Sequence, residues 1–197
     1  MMKKTTRRLT ESAIFIAIAT VLSMIKIDLP FGGGVTIVSM LPLVLISHRW
    51  GWKWGVLTAF VYSLIQQLLG LDNLQYVTGV VMVIGLILLD YVIAYTVIGL
   101  SGVMDNLLGK GRKALFLGIL VTFTLRFACH LVSGAWIWGE WAEDVFMNIN
   151  MSGPWMYSFF YNGWYMLAEL VMTEVVAMLL YAPLKPFLEG KDIGPRG

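Results

Sequence analysis

Charge is what this sequence has least of. Asp, Glu, Lys and Arg make up 13% of its 197 residues, about half the ~25% of a soluble domain, and the mean hydropathy is +0.77. That balance excludes a water-soluble fold and marks an integral membrane protein. Cysteine occurs once, as Cys129, which excludes an internal disulfide and any multi-cysteine metal or redox centre. A lone thiol beside His130 reads as a small buried apolar residue. No G-x-x-x-x-G-K-[ST] occurs. The nearest text, Gly109-Lys110-Gly111-Arg112, lacks both the spacing and the hydroxyl, so the chain does not hydrolyse ATP by itself. H-E-x-x-H and G-x-S-x-G are absent too, and no pair of inverted halves is evident. Neither a cofactor nor a nucleic-acid partner is expected.

What the sequence has instead is apolar length. Six runs are read as an all-α membrane bundle, at about 9–27, 35–48, 54–71, 77–101, 114–137 and 156–183, in a single membrane domain over 1–197. The second is short and carries Pro42, so a kinked or incomplete crossing is expected there. The basic start followed by an apolar run resembles a signal peptide, but 13–25 offers no clear small-x-small cleavage site before Lys26 and is read as the first span. Lys3, Lys4, Arg7, Arg8, Arg49, Lys53, Lys110, Arg112, Lys113, Lys185, Lys191 and Arg196 fall on one side, twelve of fourteen basic residues. Asp28, Asp72, Glu140, Glu143 and Asp144 fall on the other, with only Lys26 near them. The positive-inside rule then puts both termini in the cytoplasm with an even number of spans. Trp50, Trp52 and Trp54 are read as anchors at the cytoplasmic boundary, whereas five tryptophans between 136 and 164 exceed what an outer belt needs.

Polar side chains at membrane depth are costly unless they are paired or line a cavity. Asp90-Tyr91, mid-way along the fourth run, is therefore expected to face the bundle interior. Its carboxylate pairs with Arg126, at similar depth, or takes a cationic or amino-bearing ligand, and the two are compatible. His130, Gly134 and Trp138 recur every four residues on one helical face, where the glycine opens space for a flat aromatic ligand between imidazole and indole. On the last run Asn162 and Glu169 share a face, with Tyr157, Tyr161, Trp164 and Tyr165 on an adjacent one. A mostly apolar wall with a few directional polar groups is the usual make-up of a small-molecule site. Ala13-x-x-x-Ala17, followed by Ala19, is read as a small-residue stripe that lets another helix approach.

These features together resemble the S components of energy-coupling factor vitamin transporters, most closely the thiamine-specific ones. The resemblance runs through the basic amino terminus, Ala13-x-x-x-Ala17, the Gly-rich first loop leading into Thr36-Ile-Val-Ser-Met-Leu-Pro42, Asp90-Tyr91, and the block from Cys129-His130 to Tyr165-Met-Leu-Ala-Glu169. It implies a six-helix, multi-pass plasma-membrane protein that binds a vitamin near its outer surface under a first-loop lid. It also implies docking through helix-one alanines onto a transmembrane coupling subunit joined to two cytosolic ATPases. By position the family's pocket falls on Asp90, Tyr91, His130, Gly134, Trp138, Tyr157 and Asn162, with Phe31 in the lid, and the partner interface on Ala13 and Ala17. Two departures bear on the ligand: the family has glutamate where this chain has Asp90, and a first-loop tryptophan where it offers only Phe31. Thiamine or a closely related vitamin or precursor is expected. The alternatives are a different vitamin, or a small membrane enzyme using Asp90 and His130 as acid and base, which would need a further catalytic group.

Overall fold

The computed structural model describes residues 4–28 and 34–192, so Phe31 lies outside the described residues. Six helical runs carry the chain: α1 (Lys4–Met24), α2 (Leu41–Trp50), α3 (Trp52–Leu69), α4 (Val80–Leu108), α5 (Arg112–Trp136) and α6 (Pro154–Leu188). Three of them, α4, α5 and α6, are long and apolar enough to cross a membrane by length and composition. A short antiparallel ribbon, β1 (Lys26–Asp28) with β2 (Gly34–Thr36), joins α1 to α2, and a smaller one, β3 (Val145–Phe146) with β4 (Ile149–Asn150), lies between α5 and α6. Large apolar side chains such as Val80, Leu179 and Met24 stay exposed around the outside, as a surface facing lipid requires.

The second run departs most from the expected 35–48. Helix α2 begins at Leu41, with Pro42 in its first turn, where a missing N–H costs nothing. Ten residues span about 15 Å, half of a ~30 Å hydrocarbon core. Leu41 through Arg49 are all buried, so this half-helix is packed inside protein and needs no lipid-facing side. The stretch before it is strand and bend, and Val38 sits at φ 46°, an uncommon conformation for a β-branched residue. Non-helical backbone at membrane depth survives only where protein or a cavity surrounds it, and Gly34 and Thr36 do line a cavity.

The bundle is accordingly solid at one end and hollow at the other. Leu43, Val44, Ile98, Leu115, Ile119 and Phe123 form a close-packed core around α2. At the solid end Gly51, at φ 90°, turns α2 into α3 within one residue, in the region of φ that favours glycine. Next to it the fully buried Arg49 side chain pairs with Glu11 and with Asp192 at 2.9 Å and donates to the Phe187 carbonyl. Arg7 reaches Glu11 at 2.8 Å and Asp192 at 2.5 Å, while Lys110 Nζ donates to the carbonyls of Arg49 and Leu188. The start of α1, the α2–α3 corner, the α4–α5 turn and the residues after α6 thus meet at one end. Burial pushes the Asp192 carboxyl up, but Arg49 and Arg7 outweigh it and hold it below the usual carboxylate value. Two of the expected anchors belong to this network: Trp50 donates to Glu11 at 2.9 Å and Trp54 to Ser12 at 2.8 Å. The small-residue stripe divides as well, for Ala13 and Ala17 are exposed while Ala19 is fully buried. A two-residue step is about 200° around a helix, which turns Ala19 to the opposite face.

Candidate functional site

The hollow end holds a cavity of about 1000 Å³, at the top of the ~300–1,000 Å³ range of small-molecule sites. Asp90, Tyr91, His130, Gly134, Trp138, Tyr157 and Asn162 all line it. Helix α4 presents the first two through a π-helical turn at Ile87–Val92. The wider turn brings adjacent residues, otherwise about 100° apart, toward one space, and such turns recur at functional sites. Asp90 Oδ2 accepts a hydrogen bond from Trp138 Nε1 at 2.8 Å, and Oδ1 lies 3.3 Å from His130 Nδ1. The His130 ring thereby aims one nitrogen at the carboxylate, and its buried Nε2 has no hydrogen-bond partner. Tyr91 closes the wall beside it: its hydroxyl accepts from Asn73 Nδ2 at 2.6 Å and donates to the Gly70 carbonyl.

The expected pairing of Asp90 with Arg126 does not form. Arg126 pairs with Glu169 at 2.5 Å, both side chains almost fully buried. Depth in the membrane made either acid a partner; the direction each faces decides between them. His130 stands one turn after Arg126 on α5 and receives Asp90, while Glu169 comes from α6. Glu169 also accepts from Thr36 of β2, whose hydroxyl lies 2.6 Å from Ser39 Oγ.

Gly134 lines the cavity and also does a second job. A methyl group there would lie 2.8 Å from Asn162 Nδ2 and closer still to Ser158 Oγ, so the glycine lets α6 press against α5. The Asn162 amide is engaged within the protein, donating to the Ser158 carbonyl at 2.9 Å and accepting from the Tyr165 hydroxyl at 2.8 Å. It positions Tyr165, which also lines the cavity. Tyr157 stacks on Tyr161 at 5.6 Å, and Phe146 of β3 packs edge-on against both rings. The loop between α5 and α6 thus supports the aromatic wall. Of the five tryptophans between 136 and 164, Trp136, Trp141 and Trp155 are exposed as interface anchors would be, although Trp141 also touches the cavity.

Sequence reasoning left Arg126, Glu169, Thr36, Tyr95 and Asn73 out of the pocket. A signal for Glu169 existed, since it follows Asn162 by seven residues and so shares its helical face. None pointed to Thr36, which comes from the short strand β2, or to Asn73, which comes from a 3-10 turn over Leu71–Tyr76 between α3 and α4.

Residues 9–188 match the family described as Thiamine transporter protein (Thia_YuaJ). Among curated relatives, the thiamine transporter ThiT of Bacillus subtilis (strain 168) is 32% identical over 190 residues, covering 88% of this chain and 90% of that protein. The thiamine transporter ThiT of Lacticaseibacillus paracasei is 25% identical over 199 residues, covering 92% and 90%. The solved structure of ThiT from Listeria monocytogenes superposes with a TM-score of 0.75 at 23% identity, over 95% of this chain and 100% of that one, and shares its fold. With three helices able to span, this is a multi-pass plasma-membrane protein. A match that starts within the first helix and stops at the end of the last leaves little of the bundle outside it, and the chain belongs to the thiamine transporter protein family.

Proposed function

We propose that the chain is the substrate-binding subunit of an energy-coupling factor importer, capturing thiamine or a close precursor from outside the cell. In this reading the six helical runs form the membrane bundle, with α2 as a half-length helix inside it, both termini are cytoplasmic, and the hollow end faces outward. One observation carries the ligand assignment: a carboxylate, Asp90, held between an indole N–H and an imidazole in an aromatic-walled cavity. Thiamine joins a cationic thiazolium to a flat aminopyrimidine. Asp90 offsets the positive charge, aromatic faces add ~0.5–2 kcal/mol per cation–π contact, and the unpartnered His130 Nε2 is free for a polar atom of the ligand. Asp90 is one methylene shorter than glutamate, yet from the π-helical turn it still lines the cavity, which supports the reading.

Nothing in the chain resembles a nucleotide site, so accumulation against a gradient draws on ATP hydrolysed by two cytosolic partner subunits through a transmembrane coupling subunit. The exposed Ala13 and Ala17 on α1 suit that contact, because helices associate in lipid largely through close packing of small residues. Titration of the purified, ligand-free chain with thiamine tests the binding role, and absence of binding sinks it. Ala13→Trp with Ala17→Trp should abolish uptake in cells while leaving binding intact. Full uptake by that variant would remove the docking assignment.

A further inference from the structure

The cavity has a second charged pole that the cation does not need. Arg126 lines it from α5 with its Nε–H unpartnered, and its guanidinium carbon lies 5.2 Å from the Tyr95 ring centroid on α4. Glu169, from α6, pairs with Arg126 through one carboxylate oxygen and accepts from Thr36 of β2 through the other. The pair is therefore held by elements on three sides.

We propose that Glu169 is a specificity-determining residue: by closing the ion pair with Arg126 it makes this pole a neutral subsite, which takes the uncharged hydroxyl end of the ligand and turns away its phosphate ester. The proposal rests on the thiamine reading above. An arginine left alone in a cavity is a strong phosphate site, because its planar fork matches phosphate oxygens with charged hydrogen bonds. Here that fork already holds a carboxylate. A phosphate must either sit beside Glu169, like charge against like charge, or displace it and leave a buried carboxylate without its counter-ion, which is strongly unfavourable. The Thr36 hydroxyl opposes that displacement by tethering the second oxygen. A ligand hydroxyl brings no charge and needs one hydrogen bond, for which Arg126 has an N–H unused.

The test compares dissociation constants for thiamine and thiamine monophosphate on the purified full chain, followed by quenching of intrinsic tryptophan fluorescence. Glu169→Gln keeps the shape and removes the charge, and should narrow the preference for thiamine over the ester by about tenfold or more. Arg126→Gln should move the ratio the opposite way, and the double variant should return it toward the parent. Asp144→Asn removes the same charge from an exposed position outside the cavity, and should leave the ratio within about twofold because solvent screens it. An unchanged ratio in Glu169→Gln, or an equal shift in Asp144→Asn, overturns the proposal. If Glu169→Gln does not fold, an Arg126→Gln ratio equal to the parent's overturns it instead. A parent chain that binds neither molecule overturns the thiamine reading itself, whereas thiamine binding with an unmoved ratio overturns only the role of Glu169.

Discussion

Asp90→Asn isolates the charge of the site from its shape. Asparagine is nearly isosteric with aspartate, and its amide oxygen can still accept the Trp138 Nε1 hydrogen bond that measures 2.8 Å in the parent. The wall of the cavity should therefore stay in place while the attraction for a cation disappears. For a thiazolium about 5 Å from the carboxylate, at an effective dielectric of ~20, the lost Coulomb energy is about 3 kcal/mol, or about two decades in affinity. Calorimetric titration of detergent-purified protein measures it directly, with thermal unfolding of the ligand-free variant as the check that folding is intact. Asp144→Asn, exposed and screened, is the matching control. If Asp90→Asn bound thiamine within about threefold of the parent while the fold was unchanged, Asp90 would not face the cation and the placement of the ligand would be wrong.

Orientation is checked in cells by an impermeant thiol reagent on a Cys129→Ala background: a cysteine replacing Asp72 should label and one replacing Lys110 should not, and the reverse pattern inverts the topology. Gly134→Ala drives a methyl into Ser158 and Asn162 and should cost about 1–3 kcal/mol. That loss reads as a lower Tm, partly restored by adding Ser158→Gly, and an unchanged Tm refutes the tight α5–α6 contact. Asp192→Asn should cost up to about 1 kcal/mol near neutral pH. Because its pairing with Arg49 and Arg7 lowers the folded pKa, that stability is present above the unfolded value and is lost as pH falls through the folded one. Parent and variant melting curves should converge as pH drops, and a gap that widens in acid would contradict the pairing.

The sequence made the bundle legible because lipid enforces a simple rule: apolar runs of sufficient length, with basic residues gathered on one side. Five of the six expected runs coincide with helices to within a few residues, except that α4 and α6 continue to Leu108 and Leu188, beyond where their apolar text thins. Shortness and Pro42 marked the second run as a kinked or incomplete crossing, and α2 is a half-length helix; its start at Leu41 rather than 35 was not legible, because strand and bend surrounded by protein have the same apolar composition as a helix. Within the cavity, spacing found the residues that one helix presents together, such as His130 and Trp138. It gave no access to contacts between helices. Depth made Asp90 and Arg126 look like partners, while the azimuth of each helix, set by packing, joined Arg126 to Glu169. The second role of Gly134, as the contact point for α6, was hidden for the same reason, since a gap in the text of one helix says nothing about which neighbour approaches it.

Arg49 also carries a consequence for the order in which the molecule is built. Its first acidic partner, Glu11, has already left the ribosome when Arg49 appears, whereas Asp192 follows 143 residues later. At ~5–20 residues per second that is a wait of roughly 7–30 s. Throughout it the early helices hold a guanidinium with half its final set of carboxylates, and the corner they form stays unclosed. The residues after α6 thus close a seam that α1 begins, so nascent chains released short of Asp192 should be selectively exposed to membrane quality control even with all six apolar runs already inserted.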